Sequence, residues 1–214
     1  MLWGGEVPGG GLELRRSDDG GVEIDGQFPY NATAVLSDGG KKGRPRKERM
    51  ASRAFKYRVE TPSDHGGKKD IHLLLGHDYG KPLASVRTGT LTLEDTENYL
   101  AFRAKMNRSI AESTHGRDAV AMLESGLATG ISPGFRLPPQ RAVAQSEIIT
   151  DEEHKPEEGK HRAIIRTILE ALLYELSVVT RPAYPTTQVE LRNWSTTDDS
   201  GALVVPKHLR RWRA

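Results

Sequence analysis

"HRAIIRTILEALLYELSVVTRPAYP", His161 to Pro185, is the stretch on which the fold turns. Its apolar residues Ile165, Ile168, Leu169, Leu172 and Leu176 recur at the spacing of one helix face. Its later part, "YELSVVT", is richer in β-branched residues and fits a strand. A helix would leave Glu175 as an ordinary surface charge. A strand would set Glu175 on one face with Leu173 and Ser177. A carboxylate among apolar neighbours is costly unless paired, and a histidine N–H is a suitable partner. Periodicity alone leaves the choice open.

Upstream lies "GLATGISPGF", Gly126 to Phe135. If it is extended, Ile131, Pro133 and Phe135 point one way, into a core. Gly130, Ser132 and Gly134 point the other way. Pro133 cannot donate to a ladder, so the strand lies at an edge or carries a bulge. The Ser132 hydroxyl then stands between two bare backbones, where another chain can come close. Such an edge suits an extended peptide added as an extra strand. The plainer alternative is turn chemistry, which commonly places serine beside glycine and proline.

A serine nucleophile needs a base, and the base needs an orienting group. The chain has seven histidines. His65, His115, His154 and His161 lie in polar segments and His208 in the basic C-terminal stretch. In "DIHLLLGHD", strand alternation puts Leu73, Leu75 and His77 on one face and His72, Leu74 and Gly76 on the other. His77 thus ends an apolar face, half buried but reachable. Imidazole ordinarily titrates at ~6.5, which suits a base at neutral pH. The alternative is a structural, hydrogen-bonded histidine. Asp78 would point away from His77 on a strand.

The 214 residues suffice for one good-sized core, and the net charge of +2 implies no charged partner. There is no cysteine, which excludes disulfides, thiolate catalysis and cysteine-type zinc sites. No apolar run of ~18 residues is present to span a membrane, and the first residues lack a signal-peptide layout. Leu12–Leu14 and Val22–Ile24 around "SDDGG" predict a hairpin, "SDGGKKGRPRKERM" a polar basic loop, and "MASRAFKYRVE" a short helix running into a strand. "SVRTGTLTLED" and "AVAQSEIIT" read as strands. "NYLAFRAKM" fits either type. "GRDAVAMLESG" reads as a helix stopping at Gly126. The sum is one β-rich α+β domain.

"LLLGHD", "GLATGISPGF" and "LLYELSVVTRPAYPTTQVELR", in this order and spacing, resemble the prohead proteases of tailed phages. These are capsid-maturation serine proteases similar to the herpesvirus assemblins. The resemblance takes in "ERMASRAF" and the hairpin before it, and sets a protease domain at 11–193 between a flexible tail at 1–10 and a polar, basic tail at 194–214. It implies a compact β-barrel flanked by helices, with "LLYELSVVT" as a strand. It implies Ser132 as nucleophile, His77 as base and Glu175 as the third member, and neither cofactor nor metal. The implied substrates are the major capsid protein and scaffold, with the portal as a further candidate. The implied place is the host cytoplasm, inside the assembling prohead, with self-cleavage and a homo-oligomer as further expectations. Two positions depart from the family pattern: Gly76 stands where asparagine is expected, and Pro133 follows the serine. Proline has no N–H for an oxyanion hole, which leaves the N–H of Gly134 or Ser132, or the Arg136 side chain, as donors.

Two rival readings remain at this level. "KKGRPRKER", Lys41 to Arg49, has six basic residues and one acid, and its "GRPRK" looks like the core of an AT-hook, a minor-groove DNA reader. A metallohydrolase would recruit His65, His72, His77 and Asp78. A strand puts His72 and His77 on opposite faces, and no H-E-x-x-H spacing is present.

Overall fold

Residues 161–182 do not form a helix. In the computed structural model, which describes residues 12–40, 43–61, 70–182 and 184, they hold two full strands, Ile164–Ile168 and Leu172–Val179, the thirteenth and fourteenth among the described residues (β13 and β14). Of the five residues at helical spacing, only Ile168 and Leu176 are fully buried. Between the strands the backbone donors go to distant segments, Leu169 N–H to Ser146 O and Ala171 N–H to Ala54 O, each at 2.8 Å. No helical ladder can form where those N–H groups are already used. Tertiary pairing thus overrides the apolar spacing.

The strands form three four-stranded sheets. The first is fully antiparallel: Leu12–Arg16 (β1), Val22–Pro29 (β2), Tyr99–Met106 (β8) and Leu91–Asp95 (β7), in that spatial order. The second runs Glu147–Asp151 (β10), β13, Arg46–Met50 (β4) and Thr33–Ser37 (β3), with β13 parallel to β4. The third carries the candidate site. It runs Asp78–Ser85 (β6), His72–Leu75 (β5), β14 and Gly130–Arg136 (β9), with β5 parallel and β9 antiparallel to β14. A small pair, His154–Lys155 (β11) and Lys160–His161 (β12), folds the charged 151–160 segment. The helices are short: Lys56–Glu60 (α1), Arg108–Ala111 (α2) and Thr114–Glu124 (α3).

The protein is therefore mostly β, but the expected barrel is not closed. Among the described residues the ladders end at β1 and β7, at β10 and β3, and at β6 and β9. The sheets meet instead through faces packed on a shared aromatic core. Phe28 of β2 lies edge-on to Phe55 at 6.0 Å, and Phe55 to Phe135 of β9 at 6.1 Å. Tyr184 packs on Phe28 at 4.9 Å and donates its hydroxyl to the buried Glu48 at 2.8 Å.

Three local expectations are also corrected. The basic stretch is not a free loop, since its second half is β4, an interior strand laddered on both sides. Arg44 pairs with Asp151 and Lys47 with Glu152, each at 2.7 Å. Arg44 and Lys47 are thus engaged within the protein, while Arg46 of the same stretch is exposed; Lys41 and Lys42 lie outside the described residues. "MASRAFKYRVE" reverses the expected order, with β4 ending at Met50 and α1 following. "NYLAFRAKM" is the strand β8. The expected hairpin, the helix before Gly126 and the strand over "GISPGFR" are present as β1–β2, α3 and β9. The expected tails at 1–10 and 194–214 lie wholly outside the described residues, as do His65 and His208. No described helix is long and apolar enough to cross a membrane.

Candidate active site

Strand β14 builds the site through a bulge. Its register with β9 pairs Leu173 with Phe135 and then Glu175 with Gly134, leaving Tyr174 without a partner. The extra residue changes which side chains share a face. Leu173, Leu176 and Val178 line the core with Phe135, Pro133 and Ile131. Glu175 and Ser177 take the opposite face, over Gly134 and Ser132. The expectation that Leu173 would share the face of Glu175 is thus corrected. Arg58 of α1 supports the bulge: it is buried, and its Nε donates to Leu173 O at 2.9 Å. Its guanidinium also lies 5.0 Å from the centre of the Tyr174 ring.

His77 is not part of a strand. Leu75 pairs with Asp78, so Gly76 and His77 are the two central residues of a β5–β6 hairpin turn. Both have positive φ, 67° and 61°, as a tight two-residue turn of the favoured hand requires. Gly76 adopts this without cost; asparagine, the residue expected there, is among the few others that tolerate it. Gly76 N–H donates to Val178 O at 3.0 Å, tying the turn to β14. The turn lifts the His77 ring off the alternation read from the sequence and leaves it exposed.

Nδ1 of His77 meets Glu175 Oε1 at 2.7 Å. Glu175 is buried, at 4% exposure. An ionised carboxylate only accepts, so opposite it Nδ1 is the donor of this bond. The other oxygen, Oε2, accepts from Ser177 Oγ at 2.7 Å, and Ser177 Oγ accepts the His77 backbone N–H at 2.9 Å. The carboxylate fills the space above Gly134, where an added Cβ would lie 2.0 Å from Oε1. At Gly130 an added Cβ would lie 2.6 Å from Pro182 Cγ. The clearance beside Ser132 is thus occupied from within the chain, not reserved for a visitor.

Ser132 is partly exposed, directly across from Ser177 and one same-face position from Gly134, about 7 Å along the strand. The hydrogen bonds His77 makes run to Glu175 and Ser177; none joins it to the Ser132 hydroxyl among the described residues. Among the described residues β9 is the outer strand of its sheet, one of the places where a strand proline such as Pro133 fits. Arg136, offered as an oxyanion donor, lies over the Tyr174 ring at 5.6 Å.

Other candidates fall away. His72 faces Asp70, Nε2 to Oδ2 at 3.4 Å, and His115 Nε2 lies 3.0 Å from Pro82 O. Asp78 caps its own turn through Gly80 N–H. Among the described residues no three His, Asp or Glu side chains gather as a metal site. Sequence reasoning gave no role to Ser177 or Arg58. Ser177 was visible as a polar residue two positions from Glu175; nothing local marks Arg58.

A buried carboxylate holding an exposed imidazole, on the sheet face that Ser132 shares, is an arrangement compatible with a hydrolase of the serine type. The comparisons agree. Residues 12–200 match the family model described as Caudovirus prohead serine protease, and the chain belongs to that family. It is a serine protease, a hydrolase of peptide bonds, of the kind that acts in phage capsid maturation. No curated protein and no solved structure matches it.

Proposed function

We propose that this chain trims capsid and scaffold proteins inside the assembling prohead, with Ser132 as nucleophile, His77 as base and Glu175 as the residue that orients the base. The observation that carries this reading is the 2.7 Å bond from His77 Nδ1 to the buried Glu175, on the sheet face that Ser132 shares. The substrate adds as a strand along the outer edge of β9, where β9 has no ladder partner among the described residues.

Ser132 Oγ attacks the scissile carbonyl carbon while Nε2 of His77 takes the hydroxyl proton. Glu175 holds the tautomer that leaves Nε2 free and offsets the charge of the imidazolium. The tetrahedral intermediate collapses, the C–N bond breaks, and His77 returns the proton to the leaving amine. Water then attacks the acyl-enzyme by the same route. Pro133 removes one possible donor to the oxyanion, and the N–H groups of Ser132 and Gly134 are turned toward β14 in the ladder, which leaves the Arg136 guanidinium to serve.

The domain spans 11–193, and self-cleavage falls within 1–10 or 194–214; intact termini in assembled particles, read by mass spectrometry, contradict the self-cleavage. The main test is co-expression with the phage's capsid protein. Wild type trims it and Ser132→Ala does not; equal trimming by both overturns the assignment.

A further inference from the structure

Ser177 lies directly across from Ser132 on the same face of the sheet, and it is fully buried. An interior hydroxyl is costly unless its hydrogen-bonding capacity is used. A serine has one proton to donate. Ser177 gives it to Glu175 Oε2 at 2.7 Å and accepts the His77 backbone N–H at 2.9 Å. These two bonds and the Nδ1–Oε1 bond close a ring of contacts through the side chains of Glu175 and His77.

We infer that Ser177 is a positioning residue, a clamp that ties the backbone of the base to the rotamer of its acid. This inference rests on the roles proposed for His77 and Glu175. With Oε2 held, the carboxylate cannot turn about its last bond without breaking a hydrogen bond, so Oε1 stays aimed at Nδ1. With its N–H held, His77 keeps the positive φ that a non-glycine residue otherwise avoids. The second contact matters because Gly76 and His77 are both exposed, so burial does little to hold the turn. Ser177 does not itself attack substrate, since its proton is committed to the carboxylate and its oxygen is out of reach of solvent.

The test needs no substrate. A fluorophosphonate probe reacts with a serine only when its base is in place, so the rate of labelling reads the alignment of His77. Proton NMR reads the Nδ1–H held by Glu175 as a far-downfield resonance, assigned by its loss in His77→Gln. In Ser177→Ala, labelling slows about ten- to a hundredfold, less than the ~10⁴-fold loss expected when the orienting acid itself is disabled. The downfield resonance broadens or disappears. In Ser177→Thr, which keeps the hydroxyl, rate and resonance return toward wild type. A folded Ser177→Ala protein with wild-type labelling and an unchanged resonance overturns the inference, as does a folded Ser177→Thr protein as slow as the alanine variant. His77→Gln and Glu175→Gln are run in parallel. If they label at the wild-type rate, the proposed function falls and this inference with it. If they are slow and Ser177→Ala is not, this inference alone falls.

Discussion

Glycine 134 has its meaning only through its neighbour across the ladder. The carboxylate of Glu175 occupies the volume a side chain would take, so the missing Cβ makes room for the acid. Gly134→Ala therefore has to push Glu175 off His77. Loss of proteolysis by about a hundredfold or more is expected, in line with what misplacing a catalytic group by ~1 Å costs. A folded Gly134→Ala protein with wild-type cleavage would show that Glu175 is not needed where it stands. At this scale the sequence marked candidates, and the structure shows where they lie: Glu175 is buried and bonded to His77. Alternation singled out Ser132 with its two glycines, and the cost of a carboxylate in an apolar run singled out Glu175. The position of His77 was less legible, because a two-residue turn with positive φ at both residues breaks the alternation from which its face was read. Ser177 is unmarked in the sequence because its hydrogen bond runs to residue 77, one hundred positions away.

The bulge in β14 decides which face Glu175 occupies. It leaves ladder groups near Tyr174 in need of partners, and Arg58 supplies one to Leu173 O. Arg58→Ala leaves that buried carbonyl unsatisfied, at a cost of about 1–3 kcal/mol. It should lower the denaturant midpoint and reduce the rate of cleavage together. Unchanged stability and activity would show that the bulge holds without Arg58. Neither the bulge nor its support was readable in advance. Strict alternation grouped Leu173 with Glu175, and one extra residue separated them. The helix-or-strand ambiguity of 161–185 has a similar origin: its apolar residues satisfy both periods. The distant partners Ser146 and Ala54, which take the backbone donors between the strands, decide the outcome.

Among the described residues, three four-stranded sheets share one core, and no ladder joins their edges into a barrel. Which strands pair is set by contacts far apart in sequence, such as β4 with β13 and β5 with β14. Local pattern showed the strands more readily than their order. The second sheet is also fastened electrostatically. Burial pushes the Glu152 carboxyl up, but its bond from Lys47 and the N–H groups of His161 and Ala163 outweigh this and hold it below its ordinary 4.5. Asp70 is likewise held below its ordinary 3.8; burial opposes the shift, and the N–H groups of Arg87 and Ile71, the Ser85 hydroxyl and the His72 ring outweigh it. A depressed carboxylate stabilises the fold fully above its unfolded pKa, and that contribution disappears as pH falls through the folded value. The thermal midpoint should therefore drop on acidification from pH ~6 to ~3, and Glu152→Gln should flatten that drop. A midpoint equally acid-sensitive in Glu152→Gln would remove Glu152 from the cause.

Whether the His77–Glu175 pair activates Ser132 is decided by where a fluorophosphonate lands. The labelled protein is digested and the modified peptide sequenced by mass spectrometry, for wild type and for His77→Gln. A single adduct on Ser132 is expected in wild type, strongly reduced in His77→Gln. An adduct on Ser177 or another serine, or labelling of Ser132 unaffected by the loss of His77, would contradict that activation.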